Sequence, residues 1–307
     1  MTDPANNNWN LLGLEGLSHA EISELLDVAS SFEGGFRGDE LAGRIVANLF
    51  FENSTRTRCS FEVAASRLGA TSINITSTGS SVAKGESELE TAEQLDAMGV
   101  DVLIVRSSVN GTPQRLAARC RTPIVNAGDG RHEHPTQGLL DLYTMRAQVG
   151  SLKGLKVAIV GDISNSRVAR SNLHGLESMG AHVTLVGPPG MVDESFEGIG
   201  PHGQTVISHD LDEVLPRVDV VMMLRIQRER GGGSLIPPDY RGSYGLTAER
   251  AGRLQGHQWL MHPGPVNPGV EIDRAVLDTY PRCLISNQVA NGVLVRAAVL
   301  TRVLARP

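Results

Sequence analysis

The chain has 307 residues, 40% apolar and 20% charged, with a net charge of −6. That is enough for two domains with sizeable cores, and the acidic balance excludes a binder of nucleic acid or membranes by overall electrostatics. Cys59, Cys120 and Cys283 lack metal or disulfide spacing, Met1 to Asn10 has no apolar signal core, and no run is long enough to span a bilayer, so a cytoplasmic protein without metal is expected.

A first helix is predicted over about Ser18 to Phe32. Ser18 and Glu21 have the spacing of a capping box, and Ile22, Leu25, Leu26 and Ala29 share a face. Ile45–Phe51 reads as a buried strand. It leads into Ser54-Thr55-Arg56-Thr57-Arg58, which open a helix carrying Phe61, Ala64, Ala65 and Leu68 and stopping at Gly69. Further strands are expected at Thr71–Thr76, Val100–Val105 and Pro123–Asn126, with helices at Glu86–Met98 and Pro113–Cys120. A helix after Thr136, with Leu139, Leu140, Leu142 and Tyr143, bridges to a second set. There the strands are Lys156–Val160, His182–Val186, Val218–Leu224 and Gln258–Met261, and the helices lie near Arg167–Met179, Asp212–Leu215 and Thr247–Leu254. A last helix runs from Ile285 to Leu304, with Val289, Val293, Ala297 and Leu300 on one face.

Alternating strands and helices imply parallel sheets with crossover connections. The expected fold class is α/β, in two domains, each a mainly parallel sheet with helices on both faces. The first should cover 1–149 and the second 150–286, parted at Gly150–Gly154, with 287–307 packing back on the first. Gly231-Gly232-Gly233 reads as a flexible loop.

Open α/β sheets bind ligands at the carboxyl ends of their strands. In the first set those ends carry Ser54 to Arg58, then Ser80, Ser81 and Lys84, then Arg106, then His132, His134 and Gln137. In the second set they carry Asp162 and Arg167, then Arg225 and Gln227, then His262-Pro263-Gly264-Pro265. Cations and amides dominate; nucleophiles and metal ligands are scarce. A helix start already offers unpaired N–H groups and the positive end of a dipole. Arginine in a first turn opposes that dipole, so Arg56 and Arg58 ask for an anion, and a phosphate dianion suits the cluster. Singly, each residue also has a plain reading. Lys84 reads as a solvated loop lysine, Arg106 as a surface cap, His134 as a turn histidine, and Arg167 and Arg225 as partners of Asp162 or Glu229. Neither a dinucleotide fingerprint nor a nucleotide P-loop is present.

The motifs together resemble the transcarbamoylase family, and within it the catalytic chains of aspartate carbamoyltransferases. They are Ser54-Thr55-Arg56-Thr57-Arg58 after Phe51-Glu52-Asn53, His134-Pro135-Thr136-Gln137-Gly138, Arg225-Ile226-Gln227-Arg228-Glu229-Arg230, and His262-Pro263-Gly264-Pro265-Val266-Asn267. The resemblance runs from about Leu11 to Leu304. It implies carbamoyl transfer from carbamoyl phosphate to L-aspartate, giving N-carbamoyl-L-aspartate and phosphate in pyrimidine biosynthesis, with no cofactor. It implies a homotrimer with active sites shared between neighbouring chains, and leaves open whether a regulatory chain or a dihydroorotase associates. By the same resemblance, Ser54, Thr55, Arg56, Thr57 and Arg106 hold phosphate, and Thr57, Arg106 and His134 donate to the carbamoyl oxygen. Gln137 and the backbone carbonyls of Pro263 and Gly264 hold the carbamoyl NH2. Arg167, Arg225 and Gln227 grip the aspartate carboxylates, while Ser80 and Lys84 reach in from the adjacent chain.

Two rivals stand beside this reading. Ornithine carbamoyltransferases share the Ser-Thr-Arg-Thr-Arg motif, but usually carry a cysteine where His262 to Pro265 stand, and need acids where this chain has Arg225 and Gln227. A non-catalytic relative that only builds an assembly would not need the full set of site residues. Relatives often have Leu or Ala at Gly264, a position that acts through its backbone, and many have arginine at Pro268.

Overall fold

The computed structural model describes residues 9–76, 86–199, 205–226 and 236–305. Ser80, Ser81, Lys84, Gln227, Glu229 and the Gly231–Gly233 loop lie outside the described residues. The chain divides into two compact units. Unit 1 takes the chain to Tyr143 and again from Val289, and unit 2 spans Thr144–Gln288.

In unit 1 the order is α1 (His19–Ser31), β1 (Ile45–Phe50), α2 (Thr55–Arg67), β2 (Thr71–Thr76), α3 (Glu88–Met98), β3 (Val102–Ser107), α4 (Thr112–Ala117) and β4 (Ile124–Asp129). The helix α5 (Pro135–Val149) crosses into unit 2. There β5 (Lys156–Val160), α6 (Arg167–Ser178), β6 (His182–Val186), β7 (Val206–Ser208), α7 (Leu211–Val214) and β8 (Val220–Met223) follow. Then come α8 (Tyr240–Tyr244), α9 (Ala248–Gly252), β9 (Trp259–Met261), α10 (Arg274–Thr279) and α11 (Ile285–Leu304), which returns to unit 1.

Every named strand pair is parallel. The sheet orders are β2-β1-β3-β4 and β7-β6-β5-β8-β9. Strands β1 and β3 are apolar runs buried almost throughout, as strands covered on both faces must be. Edge strand β2 has one neighbour and is largely open. Ala47, Leu49, Leu103, Val105 and Ile124 pack with Ala92, Leu95 and Leu116 to form the core of unit 1. Ala158, Val160, Val221, Met223 and Leu260 do so in unit 2, against Leu211, Tyr240, Tyr244 and Ile272. In each sheet the order reverses beside its first strand, between β1 and β3 and between β5 and β8. Connections leave the carboxyl ends there in opposite directions and open a crevice.

Most expected elements form, with Ser18–Glu21 and also Ser87–Glu90 making capping boxes. Strands β3 and β4 run on to Ser107 and Asp129, past the expected ends, because ladder hydrogen bonds are made by the main chain whatever the side chain. Short β7, α8 and α10 were not expected; none is long enough to display a period. Of the face expected on α11, Ala297 and Leu300 are buried, but Val289 is exposed and Val293 half-buried, while Gly292, Val295, Arg296 and Val299 are buried as well.

Glycine is required after α2. Gly69 has φ +79°, and a Cβ there would stand 2.3 Å from the Gly38 carbonyl oxygen. Gly99, after α3, has φ +80° with open space around it. Alanine at Gly99 should therefore cost about 1 kcal/mol for the left-handed backbone alone. Gly69→Ala should cost clearly more, because backbone must move as well. Thermal melts of the two variants should differ in that order; equal melting temperatures would contradict the close approach.

Candidate active site

At the end of β1 the chain enters α2 through Ser54. Unlike Ser18, Ser87 and Ser166 at their own helix starts, Ser54 makes no cap bond with its side chain. No acidic residue stands in that first turn. The α2 terminus thus keeps its N–H groups, and Thr55 and Arg56 face solvent while Thr57 is buried. Arg58 is drawn elsewhere: its Nη1 lies 3.0 Å from Glu62 one turn on. Of the two first-turn arginines, Arg58 is thus paired within the helix, while Arg56 is exposed.

Arg106 is opposite Phe50 in the β1–β3 register, so the ladder itself brings it beside this helix start. It is buried, and two bonds fix its guanidinium. Nε donates to Glu52 Oε2 at 2.8 Å, and Nη1 donates to the Ala127 carbonyl at 2.9 Å. That carbonyl is available because the β3–β4 register slips between Val105 and Ser107, with Ala127 and Gly128 as the irregular stretch of β4. Beyond β4, the His134 carbonyl accepts from the N–H groups of Gln137 and Gly138 and so starts α5. Thr57, Arg106, His134 and Gln137 are all buried polar residues of unit 1.

Unit 2 repeats the logic with less positive charge. After β5, Asp162 accepts from the Asn165 backbone and side-chain amides, shaping the turn into α6. Ser166 caps α6 through the Ala169 N–H, which sets buried Arg167 in the first turn. Arg225 follows β8. The next residue, Ile226, donates its N–H to Glu271 Oε1 at 2.7 Å. The same carboxylate accepts from Asn267 N–H and Asn267 Nδ2, both at 2.8 Å. One buried acid thus ties the turn after β8 to the turn after β9. Burial pushes its pKa up, and these bonds only partly offset that.

In the turn after β9, the Gly264 N–H donates to His262 Nδ1 at 2.8 Å, so the imidazole carries its proton on Nε2. The His262 N–H donates to Gln288 Oε1. These bonds fold the His262–Pro265 turn and set the Pro263 and Gly264 carbonyls. Val270 N–H closes on the Asn267 carbonyl, with Pro268 and Gly269 between and Gly269 at φ +80°. This is the geometry of a type II turn, which favours proline second and glycine third. Pro268 thus has a structural reason where arginine is common among relatives.

Sequence reasoning missed Glu52, Ala127, Asp141, Glu271 and Gln288. Asp141 stands four residues after Gln137 on one helix face, and Glu271 four residues after Asn267. The contacts of Glu52, Ala127 and Gln288, and that of Glu271 with Ile226, span long sequence distances.

Two open parallel sheets, each with arginines following the strands where its order reverses, define a two-unit α/β protein. The chain belongs to the aspartate/ornithine carbamoyltransferase family. Residues 9–147 match its carbamoyl-P binding domain and residues 153–303 its Asp/Orn binding domain. A relative from Acidiphilium cryptum, an aspartate carbamoyltransferase catalytic subunit, is 50% identical over 97% of this chain and 96% of its own. The same subunit of Salinispora arenicola is 55% identical over 85% of this chain and 84% of its own. The Trypanosoma cruzi aspartate transcarbamoylase in complex with N-(phosphonacetyl)-L-aspartic acid superposes with TM-score 0.89 at 31% identity, covering 99% of this chain and 98% of that one.

Where β4 ends, Asp129 accepts from Gly111 N–H, Asn126 Nδ2 and Glu133 N–H, and pairs with His132 Nδ1 at 3.1 Å. Burial pushes the Asp129 carboxyl up, but the bonds from His132, Asn126 and Gly111 outweigh it and hold the pKa below 3.8. The bond to Asp129 raises His132 above 6.5, against burial. The stabilisation from His132 is complete below 6.5 and is lost as pH rises through its raised folded value. That from Asp129 is complete above 3.8 and is lost as pH falls through its lowered one. His132→Ala should therefore cost most near about pH 5 and less in mild alkali. With the ring half-exposed, the cost should stay within about 1 kcal/mol. Urea midpoints of both proteins across that range check it, and a pH-independent difference would contradict it.

Proposed function

We propose that this chain is the catalytic subunit of an aspartate carbamoyltransferase, transferring the carbamoyl group of carbamoyl phosphate to L-aspartate in pyrimidine biosynthesis. The observation that carries the reading is the relation to such subunits over almost the whole chain. The Trypanosoma cruzi relative complexed with carbamoyl phosphate and aspartate adds to it, with TM-score 0.88 at 31% identity. Residues 1–149 with 287–307 would bind carbamoyl phosphate, and 150–286 aspartate. The paired cations Arg167 and Arg225 in unit 2 favour a dicarboxylate over ornithine, whose side-chain ammonium needs acids.

The chemistry follows from charge. A phosphate dianion and a dicarboxylate repel, and fixed cations cancel that repulsion. Ser54, Thr55, Arg56, Thr57 and the α2 N–H groups hold the phosphate, with Arg106. The aspartate amine attacks the carbamoyl carbon, so a C–N bond forms as the C–O bond to phosphate breaks. Negative charge grows on the carbamoyl oxygen, where Thr57, Arg106 and His134 donate. Arg106 is already held by Glu52 and Ala127, so it stabilises that charge without reorganising. The amine proton leaves to the departing phosphate. His134 acts as a donor, so His134→Asn should lower turnover without removing a limb of the pH profile. Gln137 and the Pro263 and Gly264 carbonyls accept from the carbamoyl NH2. Arg167, Arg225 and Gln227 hold the carboxylates. The assembly is a cytoplasmic homotrimer in which Ser80 and Lys84 serve a neighbouring chain.

Arg225→Ala should raise the aspartate KM and lower turnover with little change for carbamoyl phosphate. Arg56→Ala should lose about 2–4 kcal/mol of transition-state stabilisation, and inorganic phosphate should inhibit competitively against carbamoyl phosphate. An enzyme indifferent to phosphate, or active on ornithine instead of aspartate, would overturn the reading.

Mixed trimers test the shared site. Lys84→Ala and Arg56→Ala homotrimers should each be nearly inactive. After joint dissociation and reassembly, some sites draw both intact residues and recover activity, as a closed ring of heterologous interfaces requires. Exchange verified by mass without any recovery would place Lys84 in its own chain's site.

A further inference from the structure

Gln137 and Asp141 stand one helical turn apart on α5 in unit 1, both buried. Gln137 Nε2 donates to Asp141 Oδ1 at 2.9 Å. A carboxylate accepts hydrogen bonds and cannot donate them, so the amide has one allowed orientation, with its NH2 toward Asp141 and Oε1 directed away. Oε1 itself makes no hydrogen bond among the described residues. Asp141 must stay ionised for this to hold, and its depth would ordinarily favour the neutral acid. Arg296 on α11 supplies the opposing charge. Its guanidinium donates to the Gly292 carbonyl at 3.0 Å and lies 5.3 Å over the ring of Phe61, on the helix that begins at the phosphate-binding cluster. Burial lowers the Arg296 pKa to about 10, with the charge of Asp141 opposing the fall, so it remains a cation at neutral pH.

We propose that Asp141 is a positioning residue for substrate selection: it locks the Gln137 amide so that its oxygen faces the ligand and admits an acyl phosphate that offers N–H donors. The inference rests on the reading of Gln137 as the partner of the carbamoyl NH2. Against acetyl phosphate, which has the same phosphate and carbonyl but a methyl group, the locked oxygen meets no donor and is left desolvated. A reversed amide would set NH2 against NH2 and lose the discrimination.

The test compares carbamoyl phosphate with acetyl phosphate as donors to saturating aspartate. Asp141→Asn keeps the shape, but its own amide can donate or accept, so the lock is released. Its kcat/KM for carbamoyl phosphate should fall about 10- to 100-fold, as for a buried hydrogen bond turned against its partner. The rate with acetyl phosphate, the aspartate KM and inhibition by inorganic phosphate should stay within about threefold. Because Asn at 141 leaves Arg296 buried without its counter-charge, Asp141→Asn with Arg296→Met serves as a second variant with neither charge. It should show the same narrowing of the carbamoyl-to-acetyl ratio. Gln137→Met reports on the underlying reading. If it leaves the ratio unchanged, Gln137 does not contact the carbamoyl nitrogen and the whole inference falls. If it collapses the ratio while both Asp141 variants preserve it, the Gln137 reading stands and the lock is wrong. In the Gln137→Met background, Asp141→Asn should not change the ratio further; a further change would mean that Asp141 acts by another route.

Discussion

Holding a guanidinium below the surface while keeping it charged and aimed is the constraint on which unit 1 is built. Arg106 meets it with a carboxylate on one side, Glu52, and a main-chain carbonyl on the other, Ala127. A buried cation without such partners costs several kcal/mol. The strand register supplies them. Phe50 and Arg106 are neighbours in the ladder, so Glu52 cannot drift away, and the irregularity in β4 turns one carbonyl out of the sheet. The helix start at Ser54 adds N–H groups that no side chain of its own consumes. Charge, register and an unused cap therefore belong to one arrangement.

Unit 2 solves a different problem with the same sheet plan. Its cations stand on a helix start, Arg167 in the first turn of α6, and on the connection after β8, Arg225. Arg167 gains rigidity from the Ser166 cap, whereas Arg225 depends on its neighbour Ile226 being pinned by Glu271. Arg106 and the start of α2 follow β3 and β1, and Arg167 and Arg225 follow β5 and β8, the strand pairs between which each sheet order reverses.

Local signals were legible in the sequence, and long-range ones were not. Ser18 with Glu21 specifies a helix start within four residues, and the helix start at Ser54–Thr55 follows its strand as the apolar pattern implied. The α/β alternation followed from periods of two kinds in long segments. By contrast, Ala127 matters through a slipped register, and Glu271 through the Ile226 amide 45 residues away. Neither of these contacts leaves a pattern in composition or spacing. The first half of the α11 face departs from expectation at Val289 and Val293, while Ala297 and Leu300 are buried and Arg296 is buried near its charge partner on another helix. Arg58 pairs with a near acid, Glu62.

The Glu271 tie has a consequence for how such a chain changes over generations. Two of its three bonds are accepted from main-chain amides, those of Ile226 and Asn267. An amide is present at either position whatever side chain stands there, proline excepted. Mutational drift can therefore rewrite the side chain at 225 or the apolar one at 226 without removing the Ile226 amide bond to Glu271. Lengthening that loop by a residue is another matter, since it would slide a different amide past the carboxylate. The scaffold is thus permissive toward substitution and strict toward insertion at the same point.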